Sequence, residues 1–151
     1  MHFLITNDDG IGEPGLAALA KIASQWGKVT VVAPDRCWSG CGHQTTTARP
    51  IRTEQKEAGW YSCDGAPADC VRLGLTKICP DVNWVLSGIN PGGNLGVDMV
   101  MSGTVAAARE AMYLGKRAIA FSQYRLSKSV CDWDRATDYA SRVLAQILAG
   151  D

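Results

Sequence analysis

Residues 3–12, Phe-Leu-Ile-Thr-Asn-Asp-Asp-Gly-Ile-Gly, constrain this chain more than any other stretch. An apolar, β-branched run from Phe3 to Thr6 breaks into Asn7, Asp8, Asp9 and Gly10, and Pro14 then opens a helical pattern. A buried parallel strand that ends in a turn and feeds a helix has this composition. In open α/β sheets, ligands gather outside the carboxyl ends of such strands. Two adjacent carboxylates repel each other and are costly to desolvate unless a cation or a proton relieves them. Gly10 frees the backbone to turn, so both acids can face one site. A hard divalent ion with oxygen ligands would suit that site. The same acids would also serve as turn formers or as caps of the following helix. This stretch alone leaves both readings open.

The rest of the chain alternates strand and helix patterns. Leu16, Leu19, Ala20 and Ala23 recur at helical spacing until Trp26-Gly27, and residues 28–33 read as a second buried strand. Strand, helix and strand over about 30 residues make a right-handed βαβ unit. A loop with Ser39, Gly40 and Gly42 follows Pro34-Asp35 on the side where ligands bind. Residues 44–52 and 59–63 read as short strands joined by a polar turn at 53–58. Pro67 opens a helix reaching about Lys77, with Val71, Leu75 and Ile78 on one face. Asp69 reads as a first-turn acid favoured by the helix dipole. Residues 83–86 are the next buried strand. Its exit, 87–96, holds four glycines and two asparagines, among them Asn90, Gly92, Gly93 and Asn94. Glycines let backbone amides converge on an oxyanion, and asparagine offers a neutral oxygen ligand or an amide donor. No Gly-Lys-Ser/Thr follows, so this is not a Walker loop. Ser102, Gly103 and Thr104 open a helix with Val105, Ala108 and Met112 on its expected buried face, and its start is a prepared anion site. Residues 117–121 form a further strand, and 122–132 a polar connection. A helix at 134–148 would present Ala136, Ala140, Val143 and Ile147 to the sheet.

With 151 residues and 46% hydrophobic content the chain can bury a substantial core, and a single domain over 1–151 is expected. Fifteen basic residues balance fifteen acidic ones, so no net field recruits a long nucleic acid or a membrane surface. No apolar run approaches the ~20 residues of a membrane span. The N-terminal strand lacks the parts of a signal peptide, and a cytoplasmic location is expected. The six cysteines form only one loose pair, Cys37 and Cys41, which is weak ground for a thiolate zinc site. They are expected to be reduced and to pack as small apolar residues.

Four stretches resemble the survival protein SurE family of metal-dependent 5′-nucleotidases: Thr6-Asn7-Asp8-Asp9-Gly10, Ala33-Pro34-Asp35-Arg36 through Ser39-Gly40, residues 87–96, and Ser102-Gly103-Thr104-Val105-Ala106-Ala107. The Gly65-Ala66-Pro67-Ala68-Asp69-Cys70-Val71 run also looks like the family's helix opening. The resemblance spans nearly the whole chain. It implies an α/β fold, a Rossmann-like three-layer sandwich with a mostly parallel sheet. It implies one divalent cation, Mg2+ or Mn2+, held by Asp8, Asp9, Ser39 and Asn90. The substrate implied is a nucleoside 5′-monophosphate, hydrolysed to nucleoside and phosphate. Relatives continue past residue 151, so a C-terminally short domain is expected, a homo-oligomer (dimer or tetramer) if their additional contacts are replaced. Cys37-Trp38 and Cys41 stand where relatives are commonly polar.

The chemistry expected is in-line attack of a metal-activated water on the phosphomonoester. Asn7, Gly40, Gly92, Gly93, Asn94, Ser102, Gly103 and Thr104 would bind the phosphate or substrate. Asp8 is the expected general base or water-orienting group and Asp9 mainly a ligand, although the roles could be exchanged. An aspartyl-phosphate route needs acids two apart and a downstream lysine, which this pattern lacks. A receiver-like signalling domain would need a phosphoacceptor Asp at the exit carrying Ser87-Gly88-Ile89-Asn90. A catalytically inactive nucleotide-binding module is the remaining alternative.

Overall fold

A computed structural model describes residues 1–125 and 130–150. The elements run β1 (His2–Thr6), α1 (Pro14–Ala23), β2 (Lys28–Pro34), β3 (Thr53–Glu57), β4 (Trp60–Cys63), α2 (Pro67–Leu73), β5 (Trp84–Asn90), α3 (Asp98–Met101), α4 (Gly103–Tyr113), β6 (Arg117–Ser122) and α5 (Trp133–Ala149). All six strands join one sheet in the order β3-β4-β2-β1-β5-β6. Every neighbouring pair is parallel except β3 with β4.

β1 is central because all five of its residues are buried and Phe3, Leu4 and Ile5 are apolar, as suits a strand covered on both faces. Its side chains alternate between two cores. Phe3 and Ile5 join Val31, Leu86, Leu16, Leu19 and Leu144 beneath α1 and α5. Leu4 joins Val32, Val85, Val71 and Ala107 beneath α2 and α4. Helices therefore cover both faces of the sheet, the three-layer α/β arrangement expected. The register Ile5↔Val31 and Thr6↔Ser87 brings the ends of β1, β2 and β5 to one edge.

Several elements differ from the sequence reading. The hairpin lies at β3 and β4, turning at Gly59 with φ +79°, whereas residues 44–52 are irregular and 53–57 are strand rather than turn. β3 reads Thr-Glu-Gln-Lys-Glu and is fully exposed, a composition that an edge strand tolerates and that hides its pairing. α2 widens into a π-helical turn at Gly74–Ile78, where an added Cβ on Gly74 would stand 2.6 Å from Leu4 Cδ2. β5 runs on to Asn90, so residues 87–90 are strand and not loop. α4 buries Gly103, Thr104, Ala106, Ala107, Glu110 and Ala111, while Met112 is 58% exposed. Small residues let this helix approach the sheet closely, and side-chain size misleads there. α5 buries Ala136, Ala140, Leu144 and Leu148 and leaves Val143 and Ile147 outward. Part of the polar connection expected at 122–132, residues 126–129, lies outside the described residues. No helix among those residues is long and apolar enough to cross a membrane.

Candidate functional site

The sheet order places a topological switch at its centre. From β1 the chain moves outward to β2 and β4, and on the other side to β5 and β6. The crevice at the carboxyl ends of β1 and β5 is where such folds bind ligands. The turn at 7–10, the loop after β2 and the loop after β5 all open there.

Asn7 builds the turn: its Nδ2 donates to Gly10 O at 2.9 Å and its Oδ1 accepts from Gly10 N at 3.2 Å. Gly10, at φ +125°, takes a backbone conformation that side chains resist. Asp8 is buried, and its carbonyl accepts from Trp38 N at 2.7 Å. Its Oδ1 accepts from Thr104 Oγ1 at 2.6 Å, a contact across 96 residues of sequence. Ser102 caps α4, its Oγ accepting from Val105 N at 3.2 Å. Gly103 lies so close to Asp8 that an added Cβ would stand 2.6 Å from Asp8 Cβ and 3.1 Å from Cys41 Sγ. The loop carrying Ser39 and Gly40 is pinned at both ends, by Trp38 N to Asp8 and by Gly42 N to Met101 O at 2.8 Å.

Asp8, Gly103 and Thr104 thus meet directly, with Asn7 and Asp9 beside Asp8 in the chain. Ser39 is exposed, its Oγ 3.1 Å from Cys37 Sγ, and Gly40 turns at φ +77°. Asn90 ends β5 beside β1, with its Nδ2 donating to Gly92 O at 2.7 Å. The Asn94 amide donates to Ser122 Oγ at 2.7 Å and so ties this loop to β6.

Burial first, then the charges of Asp8 and Glu13, push the Asp9 carboxyl up to about 7. Burial and the Asp8 charge likewise raise the Cys41 thiol. Of the two acids, Asp9 is the one that burial and like charge load. Thr6 Oγ1 and Ser87 Oγ, opposite each other across β1 and β5, are buried without a protein partner. Orphaned polar atoms at a strand exit favour a polar ligand. Among the described residues no cluster of three or more His, Cys, Asp or Glu forms, so a cation here would need hydroxyl or amide oxygens beside the acids.

Two groups escaped the sequence reading. Asp69 does more than favour a dipole: both its oxygens accept from Thr46 N, and Oδ2 also accepts from Ala66 N. Its position three residues after the cap is the capping-box spacing, which was legible. Glu110 is buried beneath the far end of the Ser39 loop, paired with Arg72 Nε and with His43 Nε2 at 2.7 Å. His43 also stacks on Tyr113, ring centroids 5.7 Å apart. Burial raises the Glu110 carboxyl, but the bonds from Arg72 and His43 outweigh it and hold the group below its ordinary value. Only the seven-residue interval from Gly103 to Glu110 signalled a shared helix face.

Comparison with known proteins shows what the chain as a whole is similar to. The family described as Survival protein SurE matches residues 3–150. A Nostoc sp. protein is 50% identical over 98% of this chain and 65% of its own length. The 5′-nucleotidase SurE of Pelobacter propionicus is 45% identical over 99% of this chain and 60% of its own. The crystal structure of the SurE protein from Aquifex aeolicus superposes with a TM-score of 0.92 at 39% identity, covering 99% of this chain and 60% of that one. The chain spans about three fifths of the length of the relatives it matches.

Proposed function

Because the chain belongs to the survival protein SurE family, we propose that it is a metal-dependent 5′-nucleotidase, cleaving nucleoside 5′-monophosphates to nucleoside and phosphate. The observation that carries this reading is Asp8, buried at the switch of the sheet with one oxygen held by Thr104 and Asp9 beside it. Relatives named 5′-nucleotidase SurE align with almost all of this chain and support the same activity.

The residues fit a cation. Asp9 is pushed toward neutrality by burial and by its neighbour, a load that one divalent ion would remove. Asp8, Asp9, Ser39 and Asn90 would hold it, a hard oxygen set suited to Mg2+ or Mn2+. The Asn90 amide nitrogen is engaged by Gly92, which leaves its oxygen end for such a role. When bound, the ion supplies charge neutralisation of the phosphate and a lowered pKa for water.

The chain's own groups do the rest. Thr104 fixes the Asp8 carboxylate by donating to Oδ1, so Oδ2 is the atom that orients the attacking water and accepts its proton. The N–H groups of Gly103 and Thr104 lie in the first turn of α4, where they have no intrahelical acceptor, and they stabilise negative charge on the equatorial phosphate oxygens. Backbone amides at Gly40, Gly92 and Gly93 extend that cradle. Asn7 acts indirectly, holding the turn that aims both acids. Asn94 contributes by anchoring its loop to Ser122. The leaving nucleoside departs opposite the water, as in-line displacement requires. Six unbridged thiols suit a reducing compartment, and we place the enzyme in the cytoplasm on that ground.

Phosphate release from AMP, measured with Mn2+, Mg2+ and EDTA, tests the proposal. EDTA should abolish release, and Asp8→Asn should lower it by about 10³-fold or more, the range over which positioned acid–base groups and oriented ligands act. Turnover of Asp8→Asn at the unmodified rate would refute it.

A further inference from the structure

We propose that His43 is a positioning residue for the cation site: bonded to Glu110 and Arg109 of α4, it sets where the Ser39 loop stands against Asp8. This role rests on the metal-dependent reading above and extends it to side chains that touch neither ion nor substrate.

The proposed ligands are not equally well supported. Asp8 and Asp9 stand in the turn that closes β1, and Asn90 is the last residue of β5, so the sheet places them. Ser39 is exposed and lies five residues past the end of β2, in irregular backbone that runs to Thr53. Its Oγ lies 3.1 Å from Cys37 Sγ, a contact within the loop itself. Oxygen ligands of an ion such as Mg2+ stand about 2.1 Å from it, so a hydroxyl on such a loop depends on what anchors the loop. Upstream the anchor is Trp38 N on Asp8 O, and downstream it is Gly42 N on Met101 O together with the His43 side chain.

His43 uses both ring nitrogens. Nε2 is 2.7 Å from Glu110 Oε2, and since an ionised carboxylate can only accept, Nε2 carries the proton. In the neutral ring Nδ1 is then the acceptor, and Arg109 Nη1 donates to it at 3.4 Å. The same guanidinium donates through Nη2 to Met99 O at 3.2 Å. The Glu110 side chain is 3% exposed, a depth at which a carboxylate needs partners, and Arg72 on α2 takes its other oxygen.

These bonds refer both sides of the site to one frame. Glu110 follows Thr104 by six residues on α4, roughly 9 Å along a helix axis, and Thr104 holds Asp8 Oδ1. Met99 and Met101 belong to α3, which follows the glycine-rich exit of β5. The Ser39 loop, the segment after Asn90 and the Asp8 carboxylate are therefore all fastened to α4, the loop through His43. Arg72 supplies the comparison, because its removal strips a partner from the same buried carboxylate without cutting the loop's bond.

Mn2+ binding to the full chain, measured by titration calorimetry without substrate, tests the role. His43→Ala should weaken binding about tenfold, the lower end of the 10–100-fold that groups behind metal ligands contribute. His43→Gln, whose amide offers one donor and one acceptor, should stay within about threefold of the unmodified chain. Arg72→Met should lower Tm and leave the affinity within about threefold. Since the effect passes through Ser39, His43→Ala should add less than about threefold in a chain already carrying Ser39→Ala. If the alanine variant does not fold, His43→Phe, which keeps a ring against Tyr113 and removes both bonds, takes its place. Weakening below about threefold overturns the proposal, and so does an equal loss in Arg72→Met or a full tenfold loss on top of Ser39→Ala. If the unmodified chain binds no Mn2+, the metal reading fails separately. Amide hydrogen exchange then decides: faster exchange at Trp38 and Gly42 in His43→Ala, with protection kept in His43→Gln and Arg72→Met, upholds the positioning, and unchanged exchange overturns it.

Discussion

Gly103→Ala isolates the geometry on which the proposed chemistry depends. The new methyl would stand 2.6 Å from Asp8 Cβ, 3.0 Å from Asp8 Oδ2 and 3.1 Å from Cys41 Sγ. Carbon atoms settle at roughly 3.5 Å, so the start of α4 and the Asp8 side chain must separate by roughly 0.9 Å. Stability should move little. Overpacking costs about 1–3 kcal/mol, while replacing a helical glycine by alanine returns up to about 1 kcal/mol. The net loss is therefore roughly 0–3 kcal/mol. Activity should move far more, because a 1 Å misplacement of a reacting group costs about 10²-fold. It would also stretch the 2.6 Å bond between Thr104 Oγ1 and Asp8 Oδ1. The assay pairs kcat/KM for AMP in saturating Mn2+ with thermal unfolding followed by circular dichroism. A variant that is folded, with kcat/KM within about threefold of the unmodified chain, would refute the argument that α4 and Asp8 are held in register for catalysis.

Two further substitutions test the scaffold. Gly15→Ala would place a methyl 2.1 Å from Ile89 O and 2.8 Å from the Trp133 ring, and neither backbone carbonyl nor packed indole can give way cheaply. A loss of about 3 kcal/mol or more, hence a fall in Tm of roughly 6–12 °C, is expected by calorimetry; an unchanged Tm would show that α1 can slide on the sheet. Glu110→Gln removes the charge to which Arg72 and His43 are bonded and should cost about 1–3 kcal/mol at pH 7 in urea denaturation. Since Glu110 is held below its ordinary value when folded, its contribution is complete above the unfolded value near ~4.3 and disappears as pH falls through the folded one. The gap between variant and unmodified protein should accordingly close below about pH 4, and a gap that persists there would remove the carboxylate from the account.

The parts of this molecule that were legible share one property: their signal is local. β1, β2 and β5 announce themselves as apolar runs, because a strand covered on both faces has no polar side to confuse the pattern. The acid turn, the glycine-rich exit and the Ser102 cap are likewise read within a few residues. Where burial comes from a distant partner, the sequence misleads. Three of the five residues of β3, Glu54, Lys56 and Glu57, carry charge because only one edge and neither face is covered. The outward-facing Met112 and inward-facing Glu110 invert the polarity expected of α4, for Glu110 is neutralised by Arg72 and His43, 38 and 67 positions away.

The same distinction explains why the acid pair alone could not choose between a turn and a site. Asp8 and Asp9 become the proposed site only because β1 lies between β2 and β5 in the sheet, and that order follows from two crossovers of opposite direction. Both crossovers are right-handed, as parallel connections are, so α1 must cover one face while α2 and α4 cover the other. This handedness delivers the start of α4 to Asp8 rather than to the opposite face. Had the chain turned the same way from β5 as from β1, Thr104 would have met no carboxylate, and two adjacent aspartates would be no more than a turn.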